Sequence, residues 1–396
     1  MNPYKNRQAR FRQAMRDAGI DGYIVTQNVD LYYLTGTMQT GLGVFPAEGE
    51  PVLYVRRSLA RACAESEVRV EPMPSYRELG GALASAFPGW FEGGRKVRLA
   101  TEFDVLPVQQ FRRLEAALPG AEWLDGSRLM RELRMIKSAE ELAPMREAAR
   151  IVDVTLEKAI ARLQEGMTEL ELMAYIEHSI RLHGHMGLMR MRAYNQEIVT
   201  GMVGAGEAAA RPTYFDGPAG GQGLGPACPQ SASRRPIGRG EPILLDLGCC
   251  IDGYVIDQTR TAVIGDLPDD LRYAYDVSER ILREVEERLV PGTVCEDLYK
   301  LSLQLAKGAG LREHFMGYGP DQVKFLGHGI GLEIDEWPVL AMGFDIPLQA
   351  GMVIAVEPKF TFPGRGVVGV EDTYLITPDG FERLTVSRRE LIRIGD

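Results

Sequence analysis

No stretch of the sequence runs for the ~18 uncharged apolar residues that a membrane-crossing helix needs, so no transmembrane span and no membrane partner is expected. Cysteine is scarce. Cys63, Cys228, Cys249, Cys250 and Cys295 make an odd count of 5 with no Cys-x-x-Cys pair, which excludes a disulfide framework and points to reduced thiols in a cytoplasm. Positive charge is in deficit too: 45 Lys plus Arg stand against 55 Asp plus Glu, a formal net charge of −10. No local basic face offsets that deficit, so no nucleic-acid partner is expected. The stretch from Met1 to Arg12 is polar and basic with no apolar core behind it, unlike a secretory signal. What is present is ordinary for a soluble globular protein: 396 residues, 45% hydrophobic and 25% charged. That length suits two domains.

The segment 1–133 alternates helical and extended patterns, as an α/β layer does. Arg7 to Ala18 has a helical charge pattern, Gly22 to Val25 is a buried strand, and Val44-Phe45 pairs with Pro51 to Val55 across a Glu48-Gly49-Glu50 turn. Strands are also expected at Val97–Ala100 and Glu122–Leu124, with helices near Leu59–Glu65 and Pro107–Leu118. No catalytic constellation is visible there, so support or dimerisation is its expected role.

A boundary near Leu133–Lys137 opens a second domain, 134–396. Ser138-Ala139-Glu140-Glu141 and Thr168-Glu169-Leu170-Glu171 are capping boxes, each opening a helix, the first long and the second ending near Gly184. The pattern then recurs, with a long helix from Pro268 to about Leu289 and a third box at Thr293 to Glu296 opening a helix to about Gly308. This weak internal repeat predicts two α-β halves with a site at their seam. Between them, Gly204 to Gly240 is rich in Gly, Pro, Ala and Ser, a run that usually lines a site or covers it. Its Gly220-Gly221-Gln222-Gly223-Leu224-Gly225 has no Gly-Lys-Ser/Thr after it, so a phosphate loop is not expected.

Two hairpins carry the chemistry. Asp252-Gly253 between β-prone runs is a strong turn signal, and its register sets Asp246 opposite Thr259. Asp257 then lies on the same face, diagonal to Asp246 and within reach of one ion. Two carboxylates on an apolar face need a cation or a proton between them, and metal binding is favoured over an ion pair with Arg260. In the second hairpin, a turn centred on Gly364 places Glu357 opposite Glu371. Gly327-His328-Gly329 adds an imidazole framed by glycines, where a neighbour or ligand can approach closely. His183-Gly184-His185 is a weaker chelating pair, while His178 and His314 read as solvated and Cys249 and Cys250 as small strand residues facing opposite ways.

These motifs resemble the pita-bread metallopeptidases: methionine aminopeptidase, aminopeptidase P, prolidase and the metal-free creatinase. The resemblance rests on Asp246 to Arg260, Gly327 to Glu333, Gly351 to Pro358, and Glu371-Asp372. Tyr33-Leu34-Thr35-Gly36 and Leu133 to Ser138 extend it to the prolidase and aminopeptidase P branch. It implies an α/β amino-terminal domain followed by an α+β pita-bread domain with pseudo-twofold halves, and a homodimer. It further implies two divalent ions (Mn²⁺, Co²⁺, Zn²⁺ or Fe²⁺), with Asp257 and Glu371 bridging, Asp246 on one ion, and His328 and Glu357 on the other. A hydroxide between the ions would attack the scissile carbonyl, with Glu357 moving the proton.

Several positions depart from that pattern. Asp335-Glu336 stands where proline-specific members carry His-Glu, Thr213-Tyr214 where they carry His-Tyr, and Gly369 where they carry arginine. Asp335 is thereby a candidate catalytic residue that touches substrate, its carboxylate favouring a cationic group. The expected activity is an Xaa-Pro type aminopeptidase or dipeptidase acting on short peptides. Hydrolysis of a small non-peptide amide or amidine is the alternative, and a catalytically silent binding module a third.

Overall fold

Strands of four to six residues, the central ones apolar, are interspersed with helices in the amino-terminal segment. In the computed structural model, which describes residues 2–91 and 94–395, the chain divides into two compact units, Met1–Arg134 and Met135–Asp396.

The first unit is a six-stranded mixed sheet in the spatial order Arg69–Pro72, Val52–Val55, Gly41–Pro46, Gly22–Val25, Val97–Thr101, Ala121–Asp125. Gly22–Val25 is buried along its whole length, antiparallel to Gly41–Pro46 and parallel to Val97–Thr101, as a central strand should be. Helix Pro3–Asp17 begins with Asn2 accepting from the Tyr4 and Lys5 amides, and Leu59–Glu65 and Val108–Ala117 are helical near where the sequence places them. Sequence reading misses helix Asn28–Thr35, which ends at Gly36 with φ 87°. Only glycine adopts that left-handed stop without strain.

In the second unit, helices Ala139–Ile160 and Glu169–Leu182 open with the two expected capping boxes. The first packs on a four-stranded sheet of Ile392–Ile394, Tyr254–Ile264, Ile243–Ile251 and Gly201–Ala205. Helices Asp269–Glu286 and Cys295–Gly308 serve the other half. Its five-stranded sheet runs Glu336–Ala341, Phe325–Gly329, Val353–Val356, Asp372–Thr377, Gly380–Arg383. Leu271, Ile281, Leu298, Leu326, Ile354 and Tyr374 belong to one core between these helices and strands.

The third capping box does not form. Val294, not Thr293, precedes helix Cys295–Gly308, and the Cys295 and Glu296 amides donate to the carbonyls of Ile346 and Phe344. With those amides satisfied by a neighbouring segment, Glu296 accepts instead from the Gly343 amide.

Candidate metal centre

Backbone and side-chain hydrogen bonds stitch the seam between the two halves. Thr259 and Glu371 exchange backbone hydrogen bonds across it, and the Thr373 hydroxyl donates to the Asp257 carbonyl at 2.8 Å. Behind this seam the Arg260 guanidinium is wholly buried. It donates to the carbonyls of Thr259, Glu371, Ser387 and Arg388 and to Asp372 Oδ1. Arg260 therefore does not pair with the hairpin aspartates.

Each hairpin has the register its turn dictates. Asp252 and Gly253 turn at φ 49° and 89°, and Asp246 faces Thr259. In the second hairpin two ladders, Val353–Val356 with Asp372–Thr377 and Lys359–Phe362 with Gly366–Gly369, keep one register, so Glu357 and Glu371 stand opposite each other in the gap between them. His328 sits on strand Phe325–Gly329, beside Val353–Val356. Its Nδ1 bonds the Gly329 carbonyl at 3.0 Å, which puts the proton on Nδ1 and the lone pair on Nε2, 3.8 Å from Glu357 Oε1.

Asp257, His328 and Glu371 form a buried group in which one ligand atom from each lies within 4.8 Å of the others. Among the described residues, Glu371 Oε1 is buried without a hydrogen-bond partner, as an oxygen awaiting a cation would be. Asp246 and Glu357 are turned differently: both accept from the Lys359 ammonium, Asp246 Oδ2 at 3.0 Å and Glu357 Oε2 at 2.7 Å. Lys359 is the residue that sequence reading missed. Its position two beyond Glu357, opposite a glycine, was the signal, because a strand's period of two returns it to the same face.

The electrostatics follow from burial. Desolvation raises the Asp246 carboxyl against the pull of Lys359, and desolvation with the Glu371 and Asp246 charges raises Asp257 well above the ordinary range. Burial pushes Glu357 up to about 8, again opposed by Lys359. Burial pulls His328 down, but Asp335, Glu357 and Glu371 together raise it. Burial likewise pulls Lys359 down, and Asp246, Glu357 and Glu371 outweigh it.

The group borders a cavity of about 60 Å³, also lined by Asp246, Glu357 and Asp335. Residues 215–220 of the glycine-rich run form a wall between it and an open cleft of about 750 Å³, so that run does line the site. Glu169 anchors the run, accepting from the Ala205 and Ser233 amides and the Ser233 hydroxyl. Asp335 Oδ1 is 3.5 Å from His328 Nδ1, and its side chain is 44% exposed. Thr213 and Tyr214 line the outer cleft rather than the inner cavity. His183 and His185 do not chelate together: His183 bonds the Ser179 carbonyl and Lys158, while buried His185 accepts from the Cys250 amide. His314 is half-buried rather than fully solvated, with Nδ1 bonded to the Thr361 carbonyl at 2.8 Å. It stacks on Phe362 with ring centroids 4.3 Å apart.

The family model for metallopeptidase family M24 matches residues 143–378, and that for the creatinase/prolidase N-terminal domain matches residues 7–136. The chain belongs to metallopeptidase family M24. An Xaa-Pro dipeptidase of Pyrococcus furiosus is 28% identical, covering 98% of this chain and all of that protein. A probable dipeptidase, PepE, of Mycobacterium tuberculosis is 30% identical, covering 98% of this chain and 96% of that one. The structure of an Xaa-Pro dipeptidase from Bacillus anthracis superposes with a TM-score of 0.82 at 26% identity, covering 99% of this chain and 100% of that one. The prolidase of Pyrococcus horikoshii gives 0.80 at 27% identity, covering 98% and 100%. The pita-bread resemblance and its two-domain prolidase-type fold are thus borne out, and the M24 chain is a hydrolase of a divalent-metal family.

Proposed function

We propose that this M24 chain cleaves short Xaa-Pro type peptides, with Asp257, His328 and Glu371 holding a divalent ion and Glu357 moving the proton. The observation that carries the reading is the buried three-residue group beside a cavity, with Glu371 Oε1 unpaired. One imidazole with carboxylates fits Mn²⁺, Co²⁺, Fe²⁺ or Zn²⁺. A bound ion of this kind polarises a carbonyl and lowers the pKa of water. The chain's own groups do the rest. The Gly329 carbonyl fixes the His328 tautomer, and Glu357, its Oε2 held by Lys359, is placed to accept a proton at Oε1 and return it to the leaving amine. Asp335 and Asp216, both lining the inner cavity, offer carboxylates to a protonated peptide amino terminus. The names of the relatives support the Xaa-Pro substrate. The two-ion site implied by the resemblance is supported on its His328 side and less on its Asp246 side, where Lys359 is hydrogen bonded. The five free thiols fit a reducing cytoplasm, and a homodimer through the amino-terminal domain follows from the resemblance alone.

The test is a substrate screen after chelation and reconstitution with Mn²⁺, Co²⁺ or Zn²⁺. It covers Xaa-Pro dipeptides, longer Xaa-Pro peptides, Met peptides, and cyclic or guanidino amides. Metal-restored cleavage of Xaa-Pro dipeptides is expected. Activity that is indifferent to chelation, or confined to the non-peptide amides, would overturn the proposal.

A further inference from the structure

Lys359 is a buried cation that the hydrolytic chemistry does not require. Its side chain is 1% exposed, and its amino group meets three different carboxylates: Asp246 Oδ2 at 3.0 Å, Glu357 Oε2 at 2.7 Å and Glu371 Oε2 at 2.9 Å. An ammonium has three N–H donors, so this one is saturated. That is a built site rather than a long side chain folded in by chance.

Two further observations fit the same arrangement. Lys359 pairs with Gly369 across the second hairpin, and a Cβ at 369 would lie 2.6 Å from Lys359 Cγ. Glycine at 369 leaves room for the lysine stem. Glu371, meanwhile, divides its two oxygens. Oε2 accepts from the Thr259 hydroxyl at 2.7 Å and from Lys359, while Oε1, among the described residues, accepts from nothing.

We infer that the Lys359 ammonium stands in for one of two cations, so that the centre takes a single divalent ion on Asp257, His328 and Glu371. The inference rests on the hydrolase reading of the same site and refines it. A second ion held by Asp246 Oδ2 and Glu371 Oε2 would sit about 2.0–2.2 Å from each oxygen, in the space that Nζ fills. Two cations that close repel strongly in a low-dielectric interior. Lys359 instead holds Asp246 and Glu357 in position by hydrogen bonds, contributing one positive charge where a metal would contribute two.

The count of bound ions tests this. Chelator-treated full-length protein is equilibrated with Mn²⁺ alone, and bound metal is measured by elemental analysis together with the Mn²⁺ electron paramagnetic resonance spectrum. One ion per chain with an isolated-ion spectrum is expected for the wild type. Lys359→Gly is expected to bind two, with an exchange-coupled spectrum. Should that variant fail to fold, Lys359→Met removes the charge with little change in volume, and a second ion is expected there too. Two tightly bound ions in the wild type would overturn the inference and leave the hydrolase reading standing. A wild type that binds none would overturn both.

Discussion

Replacing Arg260 with methionine should cost more stability than almost any other single change in the second unit. The guanidinium is fully buried, and its hydrogen bonds engage four backbone carbonyls and Asp372. Methionine fills much of the same volume but offers no donor. Asp372 keeps Thr385 and Arg389, so the carboxylate is not stranded, but the Glu371 and Thr259 carbonyls lose a donor at the seam beside the metal group. Leaving a buried acceptor short of its donor costs about 1–3 kcal/mol, so the loss across these carbonyls should reach about 3–5 kcal/mol. At about 2–4 °C per kcal/mol for a unit of this size, the melting temperature should fall on the order of 10 °C. Arg260→Lys retains a charge opposite Asp372 without the planar fork and should fall in between. Thermal denaturation of metal-free protein, followed by circular dichroism, measures this without interference from a bound ion. A shift below about 2 °C for Arg260→Met would refute the reasoning.

His185 should make the fold acid-sensitive. Burial, helped by the Arg181 charge, holds its pKa below the ordinary value. On acidification the unfolded chain therefore binds the proton first. Stability is complete above about pH 6.5 and is lost as pH falls through the lowered folded value. His185→Asn should flatten that part of the stability–pH profile in denaturant melts, and an unchanged slope would contradict it. Gly369→Ala should destabilise by about 1–3 kcal/mol, because the new Cβ meets Lys359 and the Pro358 carbonyl at less than 3.0 Å; an unchanged melting temperature would count against the packing described. Asp335→His should raise kcat/KM on Xaa-Pro dipeptides, and no change across a dipeptide panel would remove Asp335 from substrate recognition.

Local chemistry makes much of the centre legible in the sequence alone. Asp252-Gly253 dictated a tight turn, and a tight turn fixes register, so Asp246 and Thr259 had to face each other. The same logic about Gly364 aligned Glu357 with Glu371, even though Pro358 interrupts the ladder between them. What escaped was set by tertiary partners. A lysine read singly looks like surface, and only three converging carboxylates make Lys359 worth burying. Thr293-x-x-Glu296 has the letters of a capping box, but the segment at 344–346 reaches the helix amides first. His314 was read from its charged neighbours, and a packed Phe362 overrode them. Helix Asn28–Thr35 has too little amphipathic contrast to announce itself, since most of its side chains are buried.

Crystals soaked in Zn²⁺ and measured across the zinc edge would locate bound metal directly. An anomalous peak about 2.0–2.2 Å from His328 Nε2 and from carboxylate oxygens of Asp257 and Glu371 is the predicted result. A centre with no peak, or a peak away from those three side chains, would contradict the account.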